Sequence, residues 1–266
     1  MICYGAEVGE GGKRLVLVTG GSCGLGRATA RAFARAGFGV VICGRNQKTL
    51  QTTAEEISRQ GGEIRYFLCD VTRKNEVESL AREIGRELGT VQVLINNAGI
   101  ARAAGFLEMP DSLWEEILKT NLTGAYNCCK VFLAGMMQSG WGRIINIAST
   151  TAKVGYPYVT AYTASKHGVL GLTRSLALET ARRGVTVNAI CPGYLNDELT
   201  RDNARRMAER TGKKVEEILA LFAASAPQNR LIEPQEVASL ALLLAGEKSA
   251  GITGQGINID GGAVMV

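Results

Sequence analysis

Leu15-Val16-Leu17-Val18-Thr19-Gly20-Gly21-Ser22-Cys23-Gly24-Leu25-Gly26 is the stretch on which the fold turns. Its first five residues are apolar and rich in β-branched side chains, which reads as a central parallel strand buried on both faces. A glycine-rich turn follows, and the alanine-rich spacing of Arg27 to Ala36 predicts a helix. Strand, glycine turn and helix together make a phosphate cradle. The glycines let the backbone approach the ligand, and the helix start offers free N–H groups and positive dipole. The spacing is Gly20-x-x-x-Gly24-x-Gly26, different from the common G-x-G-x-x-G dinucleotide fingerprint. An ordinary turn can also be glycine-rich; the placement between strand and helix is what points to a ligand contacted by Gly20, Ser22, Cys23, Gly24, Leu25 and Gly26.

The alternation continues outward from this unit. Gly37 closes the helix, and Phe38 to Cys43 reads as a second strand, followed by Gly44-Arg45-Asn46. An NAD site places an acid here, about 20 residues after the first glycine, to bond the ribose hydroxyls. This chain has Arg45 instead. A guanidinium fork grips a 2′-phosphate that an acid would repel, so Arg45 and Asn46 favour NADP(H) over NAD(H), with a plain surface arginine as the alternative.

A helix over about 47–60 and a strand over Ile64 to Cys69 lead to Asp70-Val71. This strand edge is where ligands of open α/β sheets bind. Asp70 can accept from an adenine amino group or cap the helix that starts near Arg73. After that helix (about 73–88), Val91 to Ile95 forms a strand ending in Asn96-Asn97-Ala98-Gly99. The amides can tie neighbouring strands and the small residues leave room for a flat ligand, although the same residues make plain turns.

One long helix is expected from Asp111 to Gln138, with Asn121 as a polar interruption. Arg143 to Ala148 is a strand that delivers Ser149 to the ligand edge. Tyr162-Thr163-Ala164-Ser165-Lys166 then sets a phenol and an ammonium four residues apart, on one face of a helix of about 3.6 residues per turn. A cation beside tyrosine favours the phenolate. By itself the pair also fits a surface tyrosine next to a solvated lysine. Helix 163–183 and strand Val185 to Ile190 end in the turn Cys191-Pro192-Gly193.

Residues 194–228 break the rhythm with a polar, helix-prone segment at the place of a lid. It carries Arg201, Arg205, Arg206, Arg210, Lys213 and Lys214 against Asp197, Glu198, Asp202, Glu209, Glu216 and Glu217. That balance favours an amphipathic lid with a salt-bridged outer face over a basic surface for a phosphate-bearing carrier. Pro234 opens a last helix to Ala245, and residues 256–262 supply a final strand and turn. The whole is one doubly wound α/β domain over 14–266, preceded by a loose tail at 1–13.

Composition agrees. A hydrophobic share of 46% and a charged share of 21% suit a buried core, and 33 Gly against 5 Pro suit tight turns rather than linkers. The net charge of +5 is spread along the chain, with no arm for nucleic acid and no apolar run of membrane-spanning length. The seven cysteines lack metal-ligand spacing and are expected as buried thiols of a cytoplasmic protein. A single histidine, His167, leaves little for a Ser–His–Asp triad or a His-based metal site.

Read together, Thr19-Gly20-x-x-x-Gly24-Leu25-Gly26, Asp70-Val71, Asn96-Asn97-Ala98-Gly99, Asn121, Ser149, Tyr162-x-x-x-Lys166 and Pro192-Gly193 resemble the short-chain dehydrogenase/reductase family, over nearly the whole chain from about residue 14. The resemblance implies a Rossmann fold with a seven-stranded parallel sheet, helices on both faces, a helical substrate lid, and a homotetramer or dimer. It implies that Tyr162 is the general acid in carbonyl reduction and the base in alcohol oxidation. Lys166 would lower the tyrosine pKa and bond the nicotinamide ribose, Ser149 would hold the substrate oxygen, and Asn121 would position a water. It carries the cofactor site across Asn97, Ala98, Gly99, Pro192, Gly193 and Leu195. Asp197 stands where the family often has a threonine against the nicotinamide carboxamide. The stretches 142–149 and 162–193 look like NADPH-dependent reductases of 3-oxoacyl thioesters and polyketide ketoreductases. The lid and Gln228-Asn229-Arg230 also look like 3-hydroxybutyrate dehydrogenases. A non-catalytic NADP(H)-binding sensor would have no need of Asn121, Ser149, Tyr162 and Lys166 together, and epimerases or dehydratases with tightly held cofactor are longer and differ in glycine spacing.

Overall fold

A computed structural model describes residues 13–266; the expected tail falls mostly on residues 1–12, outside the described residues. The chain runs β1 (Leu15–Thr19), α1 (Gly24–Arg35), β2 (Gly39–Gly44), α2 (Gln47–Arg59), β3 (Ile64–Leu68), α3 (Lys74–Glu87) and β4 (Val93–Asn96). It continues with α4 (Asp111–Leu118), α5 (Gly124–Ser139), β5 (Gly142–Ile147), α6 (Thr160–Thr180), β6 (Val185–Pro192), α7 (Glu198–Thr211), α8 (Val215–Ala224), α9 (Pro234–Ala245) and β7 (Gly256–Ile259). The seven strands are parallel, in the order β3-β2-β1-β4-β5-β6-β7.

Period-two alternation divides the core between two faces. Val16 and Val18 pack with Val40, Ile42, Ile145 and the α1, α2 and α9 side chains Phe33, Leu50 and Val237. Leu15 and Leu17 point the other way, toward Val41, Ile144 and the α3 and α5 side chains Leu80 and Met136. Both faces of β1 are therefore dry, and its five residues are all buried. The order reverses between the adjacent strands β1 and β4. In an open α/β sheet that reversal opens a crevice at the strands' carboxyl ends.

Several expectations change in detail. Helix α1 starts at Gly24 rather than Arg27; two glycines in its first turn are weak helix formers and hide the start. The helix expected as continuous from Asp111 is broken by a π-helical turn over Lys119–Thr123, with Asn121 at its centre. Helix α6 begins at Thr160, so Tyr162 lies inside it, and β6 runs on through Pro192. Asp70 does not cap α3: its Oδ1 accepts from Thr72 N at 2.9 Å, and Arg73 holds the cap position without a side-chain bond. Of the six described cysteines, all free thiols, Cys23 is exposed because the turn carries it off the sheet, whereas Cys43, Cys69, Cys128, Cys129 and Cys191 are buried.

The segment expected as a lid forms two helices, α7 and α8. Tyr194 stacks on Phe222 of α8 at 4.3 Å between ring centroids. On the outer face Arg205 pairs with Asp202, whereas Glu198 reaches off the lid to Arg27 of α1 at 2.6 Å. Among the described residues, no helix is long and apolar enough to cross a membrane.

Candidate active site

The parallel sheet brings one residue set to one edge: Gly20 beyond β1, Arg45 beyond β2, Asp70 beyond β3, Asn97 to Gly99 beyond β4, Ser149 beyond β5, and Pro192-Gly193 at the end of β6. The Thr19 hydroxyl locks the centre of this edge. It accepts from Asn97 N and Ala98 N, both at 3.0 Å, while Asn97 Nδ2 donates to the carbonyls of Thr19 and Gly20. The tie between neighbouring strands expected of the Asn-Asn run is thus made, and Asn96 adds a buried bond to Asn146 at 2.8 Å.

Gly20 has φ +62°, a left-handed value that disfavours other residues, and both Gly20 N and Gly21 N donate to Cys43 O. A Cβ on Gly26 would stand 2.1 Å from Gly20 O, so the turn closes only around glycine. Cys23, at the start of α1, makes no side-chain cap. The N–H groups of the first turn are therefore left without a capping side chain, the donor set a pyrophosphate takes. The N-terminus of α2 differs, since Asn46 Oδ1 accepts from Thr49 N at 3.2 Å; the Asn46 side chain serves the helix. Arg45 is exposed beside it. Asp70 is pushed up by burial, but its bonds from Thr72 and the Arg45 and Arg73 charges hold it below the ordinary value. The glycine turn, the uncapped helix start and the free guanidinium fit a dinucleotide. Gly20, Ser22, Cys23, Gly24 and Gly26 would face its pyrophosphate, with Arg45 and Asp70 toward the adenosine end. Leu25 is turned into the core, Val71 is buried with its carbonyl taken by Asn127, and Leu195 is bridged to Ile232.

At the other end stand Ser149, Tyr162 and Lys166. Ser149 Oγ accepts from Thr151 N at 3.2 Å, which leaves its own proton to point elsewhere. Burial pushes the Tyr162 phenol up to about 12; the neighbouring Ser149 hydroxyl pulls the value down, while Asp197 and Tyr194 push it further up. Lys166 is buried and pushed down to about 8. Its Nζ donates to Ile147 O at 2.7 Å and lies 5.6 Å from the Tyr162 ring centroid. The expected lowering of the phenol by Lys166 is therefore not found. The ammonium is turned to a backbone carbonyl, burial weakens its charge, and burial dominates the phenol. The pair shares a helix face, as the spacing requires.

Asn121 also differs from expectation. Its Oδ1 accepts from Ile100 N at 2.8 Å and its Nδ2 donates to Ile100 O at 2.9 Å and Ser165 Oγ at 3.0 Å. These bonds engage both Nδ2 hydrogens and one lone pair of Oδ1, so the side chain is a structural tie that keeps one acceptor position. Ser165 Oγ in turn donates to Tyr162 O at 2.7 Å, so Asn121 braces the turn of α6 that presents the phenol. Ile100, Ile147 and Ser165 were not singled out by sequence reasoning: two act through backbone groups, which leave no side-chain signature, and Ser165 reads as an ordinary helix residue. His167 is exposed on α6, with Nδ1 at 3.1 Å from Thr163 O.

Lys166 has a stability consequence of definite sign. Its folded value, about 8, lies below the ordinary 10.5. Between those values the unfolded chain binds more protons, so stability rises with pH across that window. The contribution is about 3 kcal/mol at most. Urea unfolding at pH 8 and pH 10 is expected to show this rise in the wild type and not in Lys166→Met; equal slopes would refute it.

The family model for short chain dehydrogenases matches residues 14–208. A Streptomyces coelicolor protein named "Putative ketoacyl reductase" is 38% identical over 250 residues, 93% of this chain and 96% of that one. A D-beta-hydroxybutyrate dehydrogenase of Rhizobium meliloti is 34% identical over 252 residues, 94% of this chain and 98% of that one. Among solved structures, a variant of actinorhodin polyketide ketoreductase with NADPH superposes with a TM-score of 0.92 at 38% identity, covering 94% of this chain and 97% of that one. The chain belongs to the short-chain dehydrogenase family. It is an oxidoreductase of the ketone and alcohol class, in a family that binds a nicotinamide cofactor.

Proposed function

We propose that this chain is an NADP(H)-dependent ketoreductase whose substrate is a 3-oxoacyl thioester or a related ketone. One observation carries the reading: Ser149 and Tyr162 come together at the sheet edge that also bears the glycine cradle and Arg45. The nicotinamide supplies the hydride when bound. Ser149 and Tyr162 are the donors for the substrate oxygen as charge grows on it. Tyr162 gives up its proton to that oxygen, and Ser149 holds the oxygen in place through the proton left free by the Thr151 bond. Lys166, tied to Ile147 O, brings a donor to the same floor, and Asn121 holds Tyr162 through Ser165.

The lid closes over a small pocket lined by Thr150, Tyr156, Tyr194 and Phe222. A homotetramer or dimer is the assembly we favour, supported by Leu178 and Tyr126 standing exposed on α6 and α5. The second reading, oxidation of a small hydroxy acid with NAD, is favoured by the hydroxybutyrate dehydrogenase relative and opposed by Arg45. A panel of ketones and 3-oxoacyl thioesters, followed by NADPH absorbance, separates the two. NADPH consumption with a 3-oxoacyl thioester is expected to run at least tenfold faster than 3-hydroxybutyrate oxidation with NAD. The reverse order would sink the proposal.

A further inference from the structure

We propose that Asp197 makes cofactor binding proton-linked: the cofactor binds more tightly to the protein in which this carboxyl is neutral. The inference rests on the reading of the glycine cradle as the cofactor's phosphate site. Asp197 ends the loop after β6 and caps α7, with Oδ1 accepting from Thr200 N at 3.0 Å. Only 8% of the residue is exposed. Its second oxygen, Oδ2, stands 3.0 Å from the point a Cβ would occupy on Gly24, the residue that opens α1. A phosphate settling on the uncapped N–H groups of that turn meets a carboxylate oxygen on the opposite wall.

The surrounding charges leave Asp197 as the odd one. On its own helix is Glu198, whose Oε2 lies 3.3 Å from the same point on Gly24. From α1 comes Arg27, but its guanidinium is bonded to Glu198 at 2.6 Å, so those two charges answer each other. The Cys23 thiol in the turn is pushed up by burial, then by the Glu198 charge, with Arg27 pulling it down and Asp197 adding a smaller rise; the Tyr162 phenol from α6 is pushed up by burial and further by Asp197. Burial already raises the Asp197 carboxyl, against the bonds it accepts from Thr200, and Glu198 adds to the rise. Bound phosphate would raise it further. Below the free-protein value the carboxyl is neutral in both states and affinity is full. Between the free and bound values binding takes up a proton and affinity falls as pH rises. Above both, affinity is low and level.

The test titrates the full chain with NADPH by nicotinamide fluorescence from pH 4.5 to pH 8.5, with calorimetry in two buffers of different ionisation enthalpy. Asp197→Asn and Asp197→Thr keep a capping side chain and remove the charge. Both are expected to bind NADPH about tenfold more tightly than wild type at pH 8.5, with the gap narrowing as pH falls and with less proton uptake. Comparison with the variants removes the ionisation of the cofactor's own 2′-phosphate. Glu198→Gln keeps the Asp197 carboxyl and should keep a pH-dependent affinity, with the transition moved to lower pH because the Glu198 charge no longer raises that carboxyl. Folded variants that bind NADPH no more tightly than wild type at pH 8.5, or by a margin independent of pH, overturn the proposal. A wild type that binds neither NADPH nor NADH overturns the cofactor-site reading itself and this inference with it.

Discussion

Replacing Tyr162 by phenylalanine is expected to lower kcat for ketone reduction by about a thousandfold or more while leaving NADPH affinity within about twofold. The size follows from removing a positioned proton donor, a contribution of about 10²–10⁴ in rate. The selectivity follows from place. Tyr162 lies in the first turn of α6 and faces Ser149, whereas the phosphate cradle is built by β1 and the start of α1. The ring stays, so packing under the lid stays, and loss of one hydroxyl should cost about 1 kcal/mol of stability or less. The Asn121–Ser165–Tyr162 brace is also kept, because Ser165 bonds the Tyr162 carbonyl and not its phenol. Single-turnover absorbance with preloaded NADPH, and a fluorescence titration of NADPH, measure the two quantities separately. Turnover above a tenth of wild type would remove Tyr162 from the role of acid. A parallel loss of NADPH binding would show that the substitution acts through the cofactor site instead.

The unbroken apolar run of Leu15 to Thr19 was enough to place β1 at the centre of a sheet, because a strand buried on both faces must be apolar throughout and few other environments ask for that. Tyr162 and Lys166 were legible as a pair because helix periodicity is local. What the pair does electrostatically was not, because the groups that decide it are remote in sequence. Lys166 bonds a carbonyl nineteen residues upstream, and the phenol is lifted by burial and by Asp197, Tyr194 and Cys191, all distant from it in sequence. Asn121 stood out as a poor helix former inside an apolar run, but the π turn around it is a backbone event. Its occupied side chain follows from the approach of Ile100 and Ser165, which only the assembled fold brings about. The Asp70 cap failed for a related reason. Asx residues bond whichever N–H the local turn presents, and here Thr72 N is nearer than the helix.

Converting Arg45 to aspartate is expected to reverse the cofactor preference. The residue follows β2 directly after Gly44, and β2 pairs with β1 so that Cys43 lies opposite Thr19; Arg45 therefore projects past the same edge as the glycine turn. Among the described residues it makes no ion pair, and its neighbour Asn46 is engaged in capping α2, so the guanidinium is the group on this rim free to meet a 2′-phosphate. A charge-assisted contact with phosphate is worth roughly 1.5–3 kcal/mol, about ten- to a hundredfold in affinity. Aspartate removes that contact and repels the phosphate, while offering acceptors to both hydroxyls of an unphosphorylated ribose. The expected outcome is at least a hundredfold loss in kcat/KM for NADPH and a several-fold gain for NADH, with kcat at saturating cofactor little changed. Arg45→Ala should lose NADPH without gaining NADH, which separates lost attraction from new recognition. Asp70 offers an internal check: without the Arg45 charge its carboxyl should titrate at higher pH. An unchanged NADPH-to-NADH ratio in Arg45→Asp would place the 2′-phosphate on some other group and leave Arg45 a surface side chain.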